Sequence, residues 1–357
     1  MQRIQIDDIL SRWLQQAVGA GASDLHLSPG YPPTLRLHGD LAEMKLPPLS
    51  LEDSERILGE LCPVEARERL QREKQLDFSF DLDSTRFRAH LFRAGERLGA
   101  CFRAIPSSIP EFDWAGFPIE LAERISCLRD GLVILTGPTG SGKTTTLAMM
   151  VNLLNQTGGY RIITVEEPVE YLFPKAPNSM VSQREVGVDV LSFADGLKAG
   201  LRQDPDIILV GEVRDHETAQ MALSASETGH LVFTTLHTRD AKGAISRFAD
   251  LFPQEAQRDI RSQLAMSLRV IVSQRLLPGM ERGAKRHLAL EVLWNTYPIA
   301  SAIRLGKVES IDNYLTTGRD DGMLNFDESV RLLYRSGKIS KEVAEQNVRD
   351  VGVLNYG

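Results

Sequence analysis

The chain is 357 residues long, with 42% hydrophobic and 25% charged residues, which is long enough for two domains with separate cores. Its 41 basic and 48 acidic residues give a net charge of −7, so the composition carries no sign of a nucleic-acid-binding protein. Cys62, Cys101 and Cys127 form no C-x-x-C pair, so neither a zinc site nor a disulfide framework is indicated.

The apolar residues are spread along the chain rather than gathered into long runs. No run approaches the ~18 residues that would cross a bilayer. The first residues, MQRIQIDDILSRWLQQ, lack the apolar centre of a signal peptide. We therefore expect a cytoplasmic protein that contacts a membrane only through partners.

The first hundred residues predict a small α+β domain over 1–104. Residues 4–18 have their apolar side chains at helical spacing, and residues 51–73 form a second, highly charged helical pattern. Asp77–Leu82 and Arg86–Phe92 alternate like strands, which predicts that every second side chain of each run faces the core.

The stretch from 105 to 118 is rich in proline and predicts an inter-domain linker. From residue 119 to 357, short apolar runs alternate with helical patterns, which predicts a mostly parallel sheet covered on both faces. Near the end, Asn325 and Glu328 have the spacing of a capping box that opens a helix. The predicted buried strands of this domain are Leu132–Leu135, Ile162–Val165, Ile207–Val210 and Leu231–Thr234, and the predicted helix after the first of them is Thr144–Asn155.

Residues 137–144 read GPTGSGKT, which fits the phosphate-binding pattern G-x-x-x-x-G-K-[ST] at every fixed position. An apolar strand precedes this loop and an amphipathic helix follows it. Backbone N–H groups and the positive end of the helix would face the phosphates, Lys143 would reach their outer oxygens, and the Thr144 hydroxyl would bind Mg²⁺. The candidate nucleotide-binding residues here are Gly137, Pro138, Thr139, Gly140, Ser141, Gly142, Lys143, Thr144 and Thr145.

Carboxylates end two of the predicted strands. Glu212 follows the run IILV and is our candidate to activate the attacking water. Gly211 stands where phosphate-loop enzymes usually carry a magnesium-binding Asp. Glu166, at the end of another strand, is therefore the candidate to hold Mg²⁺ together with Thr144.

Two histidines flank the predicted strand at 231–234. His230 begins it, and His237 follows its end, where an imidazole could sense the γ-phosphate. Their spacing is not that of a metal-binding pair. On spacing alone, both also fit a purely structural role.

Five segments occur in order along the chain: GPTGSGKTTTLA, ITVEEPVEY, QREVG, RQDPDIILVGEVRD and TGHLVFTTLHT. Together they resemble the secretion-superfamily ATPases, most of all the PilT/PilU-type pilus retraction ATPases. SDLHLSPGYPP and RFRAHLFR near the beginning, and IRLGKV and GMLNFDESV near the end, extend the resemblance over nearly the whole chain.

The resemblance implies an α/β protein with an N-terminal PAS-like domain, a RecA-like ATPase domain and six subunits in a ring. It implies that ATP and Mg²⁺ bind and that N-terminal arginines, here Arg88 and Arg103, lie near the phosphates. Without it, both would pass as surface arginines. By the same resemblance, Glu166 matches the family's acidic motif, Glu212 matches its strand-end motif, and His230 and His237 match its histidine motif.

The function implied is a motor ATPase that powers type IV pilus retraction and twitching motility. The implied partners are a pilus platform protein of the inner membrane and a second retraction ATPase, with no direct nucleic-acid contact and a location at the cytoplasmic face of that membrane. A related secretion or DNA-uptake motor, a nucleic-acid-translocating ATPase and a non-catalytic ATP switch stay open as alternatives.

Some positions depart from the pattern of the retraction ATPases. Glu167 stands where many relatives have Asp, and HTRDA at 237–241 replaces a more polar, uncharged stretch. Residues 302–307, AIRLGK, match the retraction motif AIRAGEG only loosely. Assembly-direction relatives carry a longer N-terminal region and a four-cysteine insertion, both missing here, which favours retraction.

Overall fold

A computed structural model of the chain describes residues 6–37, 40–62, 66–83, 85–105, 108–281 and 285–355. It divides into two compact units. The first comprises the chain up to Ser108 together with the short segment Pro168–Leu172, and the second comprises Ile109–Glu167 and everything from Phe173 onward.

The first unit is built on an antiparallel sheet, which has six strands in the described residues in the order β3-β2-β1-β6-β5-β4. Phe87, Ala89 and Leu91 alternate along β5 and are buried, which confirms the predicted period of two. The strands are β1 (Asp24–Leu27), β2 (Thr34–Leu37), β3 (Asp40–Glu43), β4 (Gln75–Leu82), β5 (Thr85–Ala94) and β6 (Arg97–Ile105).

Helices of the first unit differ from the prediction in extent. The helix predicted over 4–18 is α1 (Asp8–Gly19), and residues 4 and 5 lie outside the described residues. The helical pattern over 51–73 is confirmed as two helices, α2 (Leu51–Leu61) followed by α3 (Arg67–Glu73). Cys62 ends α2 with an extended backbone, at ψ 122°, as expected of a residue that precedes a proline.

The predicted linker is not a separate element over its second half. Residues 109–118 belong to the second unit and contain a short helix, α4 (Phe112–Ala115). Phe112 and Phe117 are buried with their ring centroids 5.9 Å apart, so apolar burial fixes this stretch despite its prolines. Residues 106–107 of the predicted linker lie outside the described residues.

The second unit contains a sheet whose described strands run in the order β13-β12-β7-β11-β10-β8-β9. All neighbours are parallel except β12 and β13, which confirms the predicted mostly parallel sheet. Every residue of β7, β10 and β11 is buried, as expected of strands covered on both faces. The strands are β7 (Gly131–Thr136), β8 (Arg161–Glu166), β9 (Met180–Glu185), β10 (Ile207–Val210), β11 (Leu231–Leu236), β12 (Leu268–Leu277) and β13 (His287–Trp294).

The helices of the second unit connect these strands and continue beyond them. Half of the predicted capping box is confirmed: the Asn325 side chain accepts a hydrogen bond of 2.8 Å from the Glu328 N–H at the start of α13, whereas the Glu328 carboxylate accepts from Arg331. Across the described residues, none of the helices combines the length and the apolarity needed to span a bilayer. Beyond α4 they are α5 (Ile119–Ser126), α6 (Lys143–Thr157), α7 (Phe193–Gly200), α8 (His216–Glu227), α9 (Ala241–Asp250), α10 (Gln257–Ser267), α11 (Tyr297–Arg304), α12 (Ile311–Thr317), α13 (Phe326–Arg335) and α14 (Lys341–Asn347).

One short segment leaves the second unit and returns to it. Pro168–Leu172 directly follows the acidic residues after β8 but belongs to the first unit. Val169 and Tyr171 are buried, and the Arg86 Nε donates to the Val169 carbonyl oxygen at 3.3 Å. No pattern in the sequence indicated this excursion.

Candidate nucleotide site

The parallel strands bring four predicted elements to one edge of the sheet. The order β7-β11-β10-β8 places the carboxyl ends of these strands side by side. The phosphate loop follows β7, His237 follows β11, Glu212 follows β10, and Glu166 ends β8. Open parallel sheets bind ligands at this edge.

Lys143 begins α6 and is buried, with 7% of its surface exposed. Its ammonium group donates to the carbonyl oxygens of Gly137 at 2.8 Å and Pro138 at 3.2 Å. Burial lowers the pKa of Lys143 from its ordinary value. The amine therefore lies inside the loop, where it can exchange neutral carbonyl partners for phosphate oxygens that carry full negative charge.

The loop also offers a phosphate group a buried hydroxyl that lacks a partner among the described residues. Ser141 is 2% exposed, and its hydroxyl has no hydrogen-bond partner among the described residues. Such a buried hydroxyl, beside the positive end of α6, suits an anion with acceptor oxygens. Thr144 lies exposed in the first turn of α6, so its hydroxyl is available to a metal ion.

A Gly137→Ala substitution is expected to disrupt this loop. Gly137 has φ +146°, and a Cβ there would lie 2.3 Å from the Gln274 carbonyl oxygen of β12, so strand and loop cannot both keep their places. Gly140→Ala is the matched control, because its φ is also positive, at +78°, yet a Cβ meets nothing within 4 Å. Gly137→Ala should lower the unfolding temperature and the affinity for a fluorescent ATP analogue more than Gly140→Ala does. Equal losses in the two variants would contradict the steric argument.

Glu212 lies on a loop that both neighbouring strands hold in place. The Gly211 N–H donates to the Val165 carbonyl oxygen at 2.8 Å, and the Thr235 hydroxyl donates to the Gly211 carbonyl oxygen at 2.7 Å. The Val213 N–H donates to the Thr235 carbonyl oxygen at 3.1 Å. The backbone on both sides of Glu212 is thus fixed at the same edge as the phosphate loop, and the Glu212 side chain is 12% exposed.

Glu166 is buried at the end of β8, with 6% of its surface exposed. Its Oε1 accepts from the Thr164 hydroxyl at 2.5 Å and from the Gln183 Nε2 at 3.1 Å. Gln183, on the neighbouring β9, accepts in turn from the Phe173 N–H at 3.1 Å. A buried carboxylate held by hydrogen bonds suits a hard cation such as Mg²⁺.

The two histidines have different surroundings. His237 Nε2 lies 3.0 Å from a carboxylate oxygen of Glu212. Burial, aided by the positive charges of Lys143 and Arg214, lowers the pKa of His237, so it is neutral at pH 7 and can donate through Nε2–H.

His230 is not brought to this edge of the sheet. It lies at the amino end of β11, opposite His237, and its Nδ1 is 2.9 Å from the Ala225 carbonyl oxygen at the end of α8. Six strand residues separate the two histidines, which corresponds to roughly 20 Å. The structure thus does not bring His230 to the phosphate loop, and its predicted nucleotide contact stays a prediction.

Arg88 and Arg103 lie in the first unit, directly opposite each other on β5 and β6 and hence on one face of that sheet. Arg103 Nε donates to the buried Asp24 carboxylate at 2.8 Å, while an Arg88 nitrogen lies 3.6 Å from Asp77. Their predicted contact with the phosphates stays a prediction.

Sequence reasoning missed two members of the site. Arg214 contacts the Glu212 carboxylate and also donates to Glu167 at 3.1 Å. Gln183 holds Glu166. Arg214 lies in the segment RQDPDIILVGEVRD and Gln183 lies in QREVG. Both segments carried the family resemblance, but neither one alone shows which residue these side chains contact.

The comparisons with known proteins agree with this arrangement. A family model described as "Type II/IV secretion system protein" matches residues 2–319. The type IV pilus retraction ATPase PilT of Pseudomonas aeruginosa is 41% identical over 330 residues, covering 92% of this chain and 95% of that protein. The twitching motility protein of Neisseria gonorrhoeae is 39% identical over 325 residues, covering 91% and 86%. A crystal structure of the pilus retraction motor PilT with bound ADP superposes with a TM-score of 0.86 at 41% identity, covering 96% and 97%.

Proposed function

Since the chain belongs to the type II/IV secretion system protein family, we propose that it is a motor ATPase that hydrolyses ATP to power retraction of type IV pili. The observation that carries this proposal is the meeting of the phosphate loop, Glu212 and Glu166 at one edge of the sheet. Similarity to retraction proteins along most of both chains supports the direction of the motor.

The residues divide the chemistry between them. Backbone N–H groups of the loop and Lys143 bind the β- and γ-phosphates and stabilise the negative charge that moves during cleavage. Glu212 accepts the proton of the attacking water, and the neutral His237 beside it donates a hydrogen bond that holds its carboxylate.

Mg²⁺ fits this donor set. Thr144 and Glu166 would hold it, and it would supply charge neutralisation between the phosphate oxygens. Among the described residues no group of three or more His, Cys, Asp or Glu side chains could hold a metal ion. A magnesium ion can be held by one or two protein oxygens, with phosphate and water as its other ligands.

We further propose that the working form is a ring of six chains that acts on a pilus platform protein of the inner membrane. Rigid-body motion between the units, driven by nucleotide binding and release, would supply the mechanical step. Light scattering of the purified full chain with Mg²⁺ and ATP should give six times the monomer mass.

The function is tested in cells that make type IV pili. Deleting the gene should leave cells with excess surface pili and no twitching, and the intact gene should restore motility. Bald cells would instead point to pilus assembly. Unchanged pili and motility, together with impaired DNA uptake or protein secretion, would place the protein in a related system. Turnover that requires DNA and falls steeply with salt would favour a nucleic-acid motor.

A further inference from the structure

Arg214 contacts the carboxylate of Glu212, yet the proposed chemistry gives Arg214 no role. It follows Glu212 by two positions, on the loop between β10 and α8. Its guanidinium group contacts the Glu212 carboxylate through Nε, and a terminal nitrogen donates to Glu167 at 3.1 Å. Arg214 thus joins the ends of two parallel strands, β10 and β8, through two carboxylates.

The surroundings of Glu212 make this contact significant. Among the described residues, its carboxylate faces Arg214 on its own loop and His237 at the end of β11. Glu167 lies behind Arg214, and the charge of Lys143 on the phosphate loop reaches His237. One Glu212 oxygen therefore meets a permanent cation and the other meets an imidazole, an arrangement that fixes the plane of the carboxylate.

We propose that Arg214 is a positioning residue for ATP hydrolysis: it orients the Glu212 carboxylate and keeps it ionised, and Glu167 holds Arg214 in place. This inference rests on the proposed function. An ionised carboxylate is the form that accepts a proton from water, and an adjacent cation favours that form. Arginine suits the role because it stays charged and its planar fork can serve two carboxylates at once.

The competing interpretation is a surface ion pair without function. Arg214 is 65% exposed and Glu167 is 42% exposed, and pairs of that kind contribute little to stability. The carboxylate it contacts is only 12% exposed, however. The two interpretations differ in their consequences for the rate and for its pH dependence.

The experiment measures steady-state ATP hydrolysis by the full chain from acid to neutral pH. Arg214→Gln should lower kcat about 10- to 100-fold, because a misplaced reacting group costs rates of that order. KM for ATP should change little, since the phosphate loop is untouched. The acid limb of the profile should move to higher pH, because a carboxylate without an adjacent cation takes up a proton more readily.

Two further variants separate positioning from general damage. Arg214→Lys should restore part of kcat and most of the pH profile, because it keeps the charge and loses the fork. Arg202→Gln is the control: it removes an exposed arginine from the turn after α7 and should behave as wild type. Thermal unfolding of all variants checks that the fold is retained.

A substitution of Glu167 tests the same contact from its other side. Glu167→Gln should lower kcat in the same direction but less, and it should add little in the Arg214→Gln background, because the two residues act through one contact. An inactive wild-type protein would refute the proposed function itself. An active wild type whose Arg214→Gln variant keeps both kcat and acid limb would overturn this inference, as would a loss of rate with an unmoved acid limb and no recovery in Arg214→Lys.

Discussion

A Glu212→Gln variant is expected to bind ATP as tightly as the wild type and to hydrolyse it about 10²- to 10⁴-fold more slowly, the range by which a general base accelerates a reaction. The amide keeps the size of the side chain and can still meet His237, but it cannot accept the proton. Nucleotide affinity should persist because Lys143 and the loop are unchanged.

Phosphate release measures the rate, and a fluorescent ATP analogue measures binding. Glu227→Gln serves as the matched control, because Glu227 is an exposed glutamate at the far end of α8. The control should match the wild type in both assays. Hydrolysis by Glu212→Gln at the wild-type rate would remove Glu212 from the mechanism, even if the protein proved to be an ATPase.

A Lys143→Ala variant is expected to lose ATP binding and hydrolysis together. Lys143 is the loop's own cation, so its removal takes away a charge-assisted contact to the phosphates in both the ground state and the transition state. We expect kcat/KM to fall by about 10²-fold or more, which corresponds to at least ~2.7 kcal/mol.

The burial of Lys143 calls for two controls. Truncation to Ala leaves unfilled space beneath the loop, so Lys143→Met, which keeps the volume without the charge, should show the same loss. Lys198→Ala removes an exposed lysine from α7 and should have no effect. Near-normal turnover by the Met variant in a folded protein would contradict the assigned role.

The parts of the molecule that depend on local sequence were predictable. The buried strands, the helix after the phosphate loop and the helix cap at Asn325 each follow from residues close together in the chain. The predicted helix Thr144–Asn155, for example, is observed at Lys143–Thr157, because the glycines before it and Gly158 after it mark its ends.

Contacts between distant strands were not predictable from spacing. Arg214 meets Glu167 only because β10 pairs with β8, and Gln183 meets Glu166 only because β9 lies on the other side of β8. His230 and His237 flank the same strand in the sequence, but they lie at its opposite ends and are separated by the whole length of β11. Sheet order, which the sequence leaves open, decides which polar residues become neighbours.

The excursion of Pro168–Leu172 determines whether the two units can be separated by proteolysis or truncation. The chain crosses between them at residues 108–109, 167–168 and 172–173, so a protease cut in the first crossing leaves two peptide connections intact. A truncation that begins after Ser108 also removes Arg86, which donates to the Val169 backbone one residue beyond Pro168. If such a fragment loses ATP hydrolysis, the loss has two possible sources. One is the absence of Arg88 and Arg103, and the other is a disturbed backbone next to Glu166 and Glu167.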